Sequence, residues 1–305
     1  FTHTSLLLLI VFTLCASLNA QTVPTQPDHS WLFDDGSGTT ATANTGGVDG
    51  SLGANVSFST TTFDGGSGNS LDFSGTTGSE NNFNSGDIVD FSALDNAFNG
   101  NGELSMSFWI KADSTGADQA WFSMSKDSNK NGGGSEEDRF DLRYDSAVFN
   151  GSNNNTITAS FGSDAETNPD DHVFYGADGH QTTNWQHVAF TFNGSSSVGD
   201  RYKLYVDGVQ DTNPDSISTM NEDPSTVGVG SMVADQVRFM LGEGAKDPWK
   251  GFIDESALWE SELTSSEVQW LADSSNNLTA IPEPSAYAAL LSLVSFGFVL
   301  MRHRK

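Results

Sequence analysis

Through the middle of the chain, apolar side chains come in short alternating runs bounded by Gly, Asn, Asp and Ser. Leu104, Met106, Phe108 and Ile110 fall on one face of a strand, with Ser105, Ser107, Trp109 and Lys111 on the other. Val188, Phe190 and Phe192 alternate with His187, Ala189 and Thr191; Phe140, Leu142 and Tyr144 form another set, as do Ile253, Glu255, Ala257 and Trp259. Leu204 and Val206 lead into Asp207-Gly208, where both residues tolerate positive φ, which predicts a two-residue hairpin turn. Successive strand residues point to opposite faces, so this period of two predicts antiparallel strands with one buried face, packed as a two-sheet sandwich. One helix is predicted within this body. Thr264-Ser265-Ser266-Glu267 is a capping box ahead of Val268, Trp270 and Leu271, and places a short helix on the sandwich. There is no internal repeat, and the body runs as one domain over 21–275.

The two ends follow a different pattern. Residues 5–14 are an uninterrupted apolar run followed by small and polar residues to Ala20, which reads as a secretory signal peptide over 1–20. With no Met or basic stretch ahead of Phe1, its start reads as truncated. Leu14 directly before Cys15 fits a lipoprotein motif poorly, so the lone Cys leaves with the signal rather than carrying a lipid. At the other end, 276–305 is a linker and tail: Pro282-Glu283-Pro284, an apolar run over about 286–301, then Arg302-His303-Arg304-Lys305. At about 1.5 Å per residue the run nearly crosses a bilayer as a transmembrane helix, with the cations on the cytoplasmic side. In this order the elements resemble the PEP-CTERM sorting tail of exported bacterial envelope proteins. That resemblance implies cutting near Pro282-Glu283-Pro284 by an exosortase-type membrane protease, after which the body lies at the cell surface or in the extracellular matrix.

Charge narrows the partners. The chain carries 40 acidic against 13 basic residues, a formal charge of −27, and the body over 21–281 alone keeps 39 acidic and 10 basic residues. Such a field repels phosphate backbones, which excludes nucleic acid as a partner, and it attracts divalent cations. Hydrophobic residues make up only 36%, yet 21 Phe, 7 Trp and 5 Tyr supply the bulk for a core. Without a disulfide, an exported body of this kind has to rely on that core or on metal ions.

The strand segments also resemble the laminin-G-like, concanavalin A-like jelly rolls of secreted bacterial proteins. The likeness lies in Ser30-Trp31-Leu32-Phe33-Asp34, Leu71-Asp72-Phe73, Met106-Ser107-Phe108-Trp109-Ile110-Lys111 and Ser125-Lys126-Asp127. It continues in Trp185-Gln186-His187-Val188-Ala189-Phe190, Leu204-Tyr205-Val206-Asp207-Gly208, residues 251–259 and residues 263–268. The fold class it implies is an all-β, two-sheet antiparallel jelly roll. It also implies a structural Ca²⁺ held by Asp254 of the closing strand against the N-terminal strand, with Asp34, the Gly36 carbonyl, Asn44 and Asp49 as oxygen partners. Asn44 departs from the more usual Asp. Asp254 serving only as an acceptor for backbone N–H groups is the competing reading.

Two further motifs overlap in one acidic segment. Asp127, Asn129 and Asn131, Gly132, Ser135 and Asp138 have the spacing of a twelve-residue calcium loop, although Gly134 replaces the apolar anchor and no amphipathic helices flank it. An acidic hairpin loop between the strands around Phe122 and Phe140 accounts better for the segment. Glu136-Glu137-Asp138-Arg139-Phe140-Asp141 approximates the Glu-x-Asp-x-x-Glu of laminarinase-type glycoside hydrolases. There, two carboxyls about 5 Å apart act as nucleophile and acid/base. Asp141 is one methylene short and Glu137 takes an apolar position, so catalysis is not expected. Trp109 and Trp185 are expected to pack the fold, and His187 to serve as a structural hydrogen-bonding residue. The sequence thus predicts a non-enzymatic, exported envelope or matrix protein that binds a polysaccharide or a surface protein; the alternatives are an adhesive coat protein or a laminarinase-type hydrolase.

Overall fold

The computed structural model of the protein describes residues 21–64, 68–77, 85–91, 102–125, 139–145, 148–149, 152–153, 155–162, 172–175, 179–197, 200–212, 238–242 and 248–282. Residues 1–20, expected to be a signal peptide, residues 127–138 of the calcium-loop pattern, and Glu283, Pro284 and the residues after them lie outside these. No helix among the described residues is long and apolar enough to cross a membrane, and 286–301 is not among them.

The chain is mostly β. Short strands come first: β1 (His29–Trp31), β2 (Thr40–Ala41), β3 (Gly50–Leu52), β4 (Ser57–Ser59), β5 (Ser70–Asp72) and β6 (Val89–Asp90). The middle of the chain forms β7 (Glu103–Ala112), β8 (Gln119–Ser125), β9 (Arg139–Asp145), β10 (Val148–Phe149), β11 (Ser152–Asn153), β12 (Thr156–Gly162) and β13 (His172–Tyr175). Last come β14 (Gln186–Asn193), β15 (Tyr202–Val206), β16 (Val209–Gln210), β17 (Arg238–Leu241) and β18 (Gly251–Trp259). They make a jelly-roll-like sandwich of two eight-stranded antiparallel sheets. One sheet runs β16-β15-β14-β7-β18-β5-β4, with β1 also on β18; the other runs β13-β12-β9-β8-β17-β6-β3-β2. The closing strand β18 is long enough to pair with β7 along one side and with both β5 and β1 on the other.

Alternation sorts the side chains as the sequence predicts. Leu104, Met106, Phe108, Ile110, Val188, Phe190, Leu204 and Ile253 from the first sheet meet Phe122, Leu142, Tyr144, Ile157 and Leu241 from the second in one buried core. At the Asp207-Gly208 hairpin both residues have positive φ, 48° and 75°, and Val206 faces Val209 across it. One expected alternation fails: Ile253 packs in the inter-sheet core, whereas Ala257 and Trp259 pack on the opposite face of the sheet. The cause is a β-bulge between Asp254 and Ala257, with Glu255 at φ 41°, which shifts the facing of every later residue.

The face turned outward by that bulge is capped. The helix Ser265–Leu271 lays Val268, Trp270 and Leu271 on Ala257, Trp259, Ala189 and Tyr205, with Leu278 and Ile281 completing the cluster. The N-terminal stretch straps over the same side: Trp259 Nε1 donates to the Thr25 carbonyl at 2.9 Å, and Gln26 Nε2 donates to the Ile281 carbonyl at 3.0 Å. Thr264 and Glu267 form the reciprocal capping box. Replacing Thr264 by Ala orphans one backbone donor, and urea denaturation should show a loss of about 1 kcal/mol.

Candidate functional site

Beside this cap, where β18 passes from pairing with β5 to pairing with β1, Asp34, Asp64, Asp254 and Glu255 line a cleft of about 160 Å³. Asn69, Asn277 and Thr279 add neutral oxygen-bearing groups, and Leu32 and Phe63 form its apolar wall. Among the described residues, no Lys, Arg or His lines it. Local backbone explains how four acids from distant segments share the space. In a regular strand Asp254 and Glu255 would point to opposite faces; the bulge and the left-handed Glu255 turn both toward the cleft. Asp34 follows Phe33, a second bulky residue with positive φ, 61°. Such conformations cost about 1–3 kcal/mol each and persist where surrounding structure enforces them. Opposite Asp34, Gly68 sits at φ +94°, and a Cβ there would lie 2.2 Å from Asp34 Oδ1. Only glycine permits that approach, and the Asn69 N–H then donates to the same oxygen at 2.8 Å.

The acids are held under electrostatic stress. Asp254 is 3% exposed; its Oδ1 accepts the Glu255 N–H at 2.9 Å and its Oδ2 accepts the Phe63 N–H at 3.4 Å. Burial pushes its carboxyl up to about 8; the two N–H groups pull against this, while the charges of Asp34 and Asp64 add to it. Glu255 is likewise raised to about 8, by burial first, with the Leu278 N–H opposing and Asp254, Asp34 and Asp64 reinforcing. The Leu278 N–H donates to Glu255 Oε2 at 3.0 Å, tying the cleft to the segment that follows the helix.

Two of the four residues expected to hold calcium are here, Asp34 and Asp254. Asn44 and Asp49 are not: the Asn44 amide donates to Ser30 Oγ at 3.4 Å, and Asp49 Oδ1 accepts the Ala43 N–H at 2.9 Å. Asp64, Asn69, Glu255, Asn277 and Thr279 were not singled out from the sequence. The donor chemistry fits Ca²⁺, which takes about six to eight hard oxygen ligands. As the side chains stand, however, no three His, Cys, Asp or Glu among the described residues converge closely enough to hold an ion. Asp254 and Glu255 spend oxygens on backbone N–H groups instead, which is the hydrogen-bonding role the sequence left open for Asp254.

Of the hydrolase-like segment, Glu136 and Asp138 lie outside the described residues, as do Asp127, Asn129 and Asn131 of the calcium-loop pattern. Asp141 is on β9, its side chain turned away from the core, 1% exposed, with Arg143 Nε at 3.8 Å. His187 is fully buried and its Nε2 lies 2.8 Å from Ser107 Oγ, a pairing across β14 and β7 that the sequence did not reveal. Burial lowers its pKa to about 3, so it is neutral. Trp121 and Trp249 are core residues, each packed edge-on against Tyr144.

Residues 83–269 match the family described as the concanavalin A-like lectin/glucanases superfamily. Among solved structures, a Trypanosoma rangeli sialidase in complex with 2,3-difluorosialic acid superposes with a TM-score of 0.52 at 15% identity. That match covers 84% of this chain and 34% of the sialidase. The botulinum neurotoxin serotype G binding domain gives 0.50 at 11% identity, over 81% of this chain and 50% of that one. Domain 4 of AbnA, a GH43 extracellular arabinanase from Geobacillus stearothermophilus solved with arabinotriose, gives 0.49 at 17% identity, over 81% and 98%. The chain thus spans about a third of the sialidase and half of the toxin chain. No curated protein sequence matches it. At these identities the structural likeness is one of fold.

Proposed function

The chain belongs to the concanavalin A-like lectin/glucanase superfamily, and from that premise we propose that its sandwich is a non-catalytic carbohydrate-binding module steadied by calcium at the rim cleft. The observation that carries this reading is the cleft itself: four carboxylates and, among the described residues, no cationic side chain, between the N-terminal and closing strands of a lectin-type sandwich. With their side chains turned from the backbone N–H groups they now accept from, Asp34, Asp64, Asp254 and Glu255 would hold the ion, and Asn69, Asn277 and Thr279 of the same lining would add neutral oxygens. Ca²⁺ would supply there the positive charge that the buried carboxylates lack. Glu255 ties the closing strand to the 277–279 segment, Asp254 ties it to Phe63, and Asp34 ties the chain after the first strand to the Gly68-Asn69 turn; together they fix the loop ends around the cleft. The botulinum neurotoxin chain named above is a binding domain, and this sandwich is read as a binding module too. No carboxylate pair suited to glycoside hydrolysis occurs around Asp141 among the described residues, where its nearest acidic strand neighbour, Asp145, shares Arg143 with it.

The proposal extends to the protein's setting. Ile281 is 2% exposed and is packed in the cap, so the folded body reaches the residue before Pro282-Glu283-Pro284. We take the body to be exported, held by the 286–301 segment and the basic end, and cut near Pro282-Glu283-Pro284 by an exosortase-type protease. It then resides at the cell surface or in the matrix.

A polysaccharide and glycan array probed with the full chain tests the binding reading. Selective retention on one class of neutral glycan, weakened in EDTA, is expected; retention on none would overturn it.

A further inference from the structure

The cap covers only one end of the outward face of the first sheet; the other end carries aromatic rings. Trp185 directly precedes β14, Lys111 lies near the end of β7 and Phe252 near the start of β18. Phe252 pairs with Lys111 in register, and His187 and Asp254 flank Trp109 two residues along, so Trp185, Lys111, Phe252 and Trp109 share the outward face. Trp185 and Phe252 have ring centroids 6.3 Å apart, inclined at 49°, and Lys111 Nζ lies 5.6 Å from the Phe252 centroid. All three are half-buried, neither sealed in the core nor free in solvent. Beside them Phe63 stacks on Trp109 at 4.5 Å and 17°. Phe63 is also a wall of the acidic cleft, which makes the ring patch and the cleft continuous. Asp72 pairs with Phe252 on the far side, so Phe252 lies between the Lys111 ammonium and the Asp72 carboxylate.

We propose that Trp185, Phe252 and Lys111 form a glycan platform that takes a neutral, equatorially substituted pyranose chain directed toward the cleft; this rests on the carbohydrate-binding reading and assigns it a surface. The axial C–H bonds of such a sugar give each ring two flat apolar faces, which match an aromatic face, while its equatorial hydroxyls lie at the perimeter. The Lys111 ammonium donates to those hydroxyls, and Asp72 and the cleft carboxylates accept from them. Charge decides against an acidic polysaccharide: at −27 the chain repels polyanions, and Asp72 and the cleft carboxylates flank the patch. The apolar content decides against a protein partner. Val209 is the one large hydrophobic residue recorded as strongly exposed among the described residues, at 69%, and it lies on β16 at the far edge of the sheet. Protein hot spots instead centre on a wide, fully desolvated apolar patch.

The test is calorimetric titration of the full chain with cellohexaose and with a hexamer of polygalacturonate, for wild type, Trp185→Ala, Trp185→Phe and Lys111→Met. Melting curves verify that each variant is folded. Wild type should bind cellohexaose and not the polyanion. Trp185→Ala should weaken binding about tenfold or more, as loss of a stacking anchor does, with Trp185→Phe recovering most of it. Cellohexaose affinity unchanged in folded Trp185→Ala overturns the platform and leaves the carbohydrate reading standing, as does equal binding of the polyanion. Failure of wild type to bind any glycan on the array removes both. Trp185-dependent binding of a peptide in place of every glycan would assign the surface to a protein partner and overturn the proposal.

Discussion

Calcium should raise the melting temperature of the chain by about 5–10 °C at pH 8, if its concentration is near 100 times its Kd. That excess corresponds to about 2.7 kcal/mol, and domains of this size gain roughly 2–4 °C per kcal/mol. EDTA should remove the gain. The pH dependence carries the more specific signature. Asp254 and Glu255 have folded values near 8, well above 3.8 and 4.5. A carboxyl raised in this way contributes stability that is complete below its unfolded value and lost as the pH rises through the folded one. In EDTA the melting temperature should therefore fall from about pH 5 to pH 8. His187 works in the opposite sense: lowered from 6.5 to about 3 by burial, it favours the folded chain above 6.5 and progressively less as the pH drops toward 3. Between about pH 4.5 and 6.5 the two carboxyls outweigh the one imidazole, so together they predict a maximum at about pH 4 when calcium is chelated. With calcium bound the carboxylates are ionised, so the alkaline decline should vanish while the acid limb remains. A profile identical with and without calcium would contradict the assignment of the cleft.

Gly251→Ala should be the most damaging single methyl group in the body. Gly251 opens the closing strand at φ +140°, paired with Ala112, and its carbonyl accepts the Phe73 N–H at 2.8 Å. A Cβ would stand 2.0 Å from the Lys111 carbonyl oxygen and 2.9 Å from Ala112 Cα, both rigid backbone atoms of the neighbouring strand. Strain at a glycine-only conformation and overpacking each cost about 1–3 kcal/mol, so a loss of roughly 3 kcal/mol or more is expected in urea denaturation. Gly179→Ala is the comparison. That residue also has positive φ, +83°, but a Cβ there meets nothing within 4 Å, so only the conformational part is lost. Equal destabilisation by the two substitutions would show that the β7–β18 contact is not what constrains Gly251.

What the sequence disclosed depended on distance along the chain. The strand Glu103–Ala112, the Asp207-Gly208 turn and the Thr264–Glu267 capping box are each specified within a few residues, by side-chain period or by one turn's chemistry, and each appears as expected. The cleft is different. Phe63 and Asp254 meet across 191 positions, Asp34 and Asn69 across 35, and Ser107 and His187 across 80. No local pattern encodes which loops a jelly roll brings together, so the carryover of Asn44 and Asp49 from a resemblance placed them near Asp34 in sequence but not in the cleft. One signal was present: Asp254-Glu255 are consecutive acids inside a strand that is apolar but for Ser256 and Gly251. Two buried charges cannot sit on opposite faces of such a strand without partners, and a bulge is the backbone's means of turning both to one side.

Everything proposed for the rim depends on a divalent cation entering the Asp254 cleft. Calorimetric titration of the full chain with Ca²⁺, repeated on Asp254→Asn at pH 8, addresses it directly. Saturable binding by the wild type that is lost or weakened at least tenfold by Asp254→Asn is the predicted result. Either no binding by the folded wild type, or binding that Asp254→Asn leaves unchanged, would contradict it.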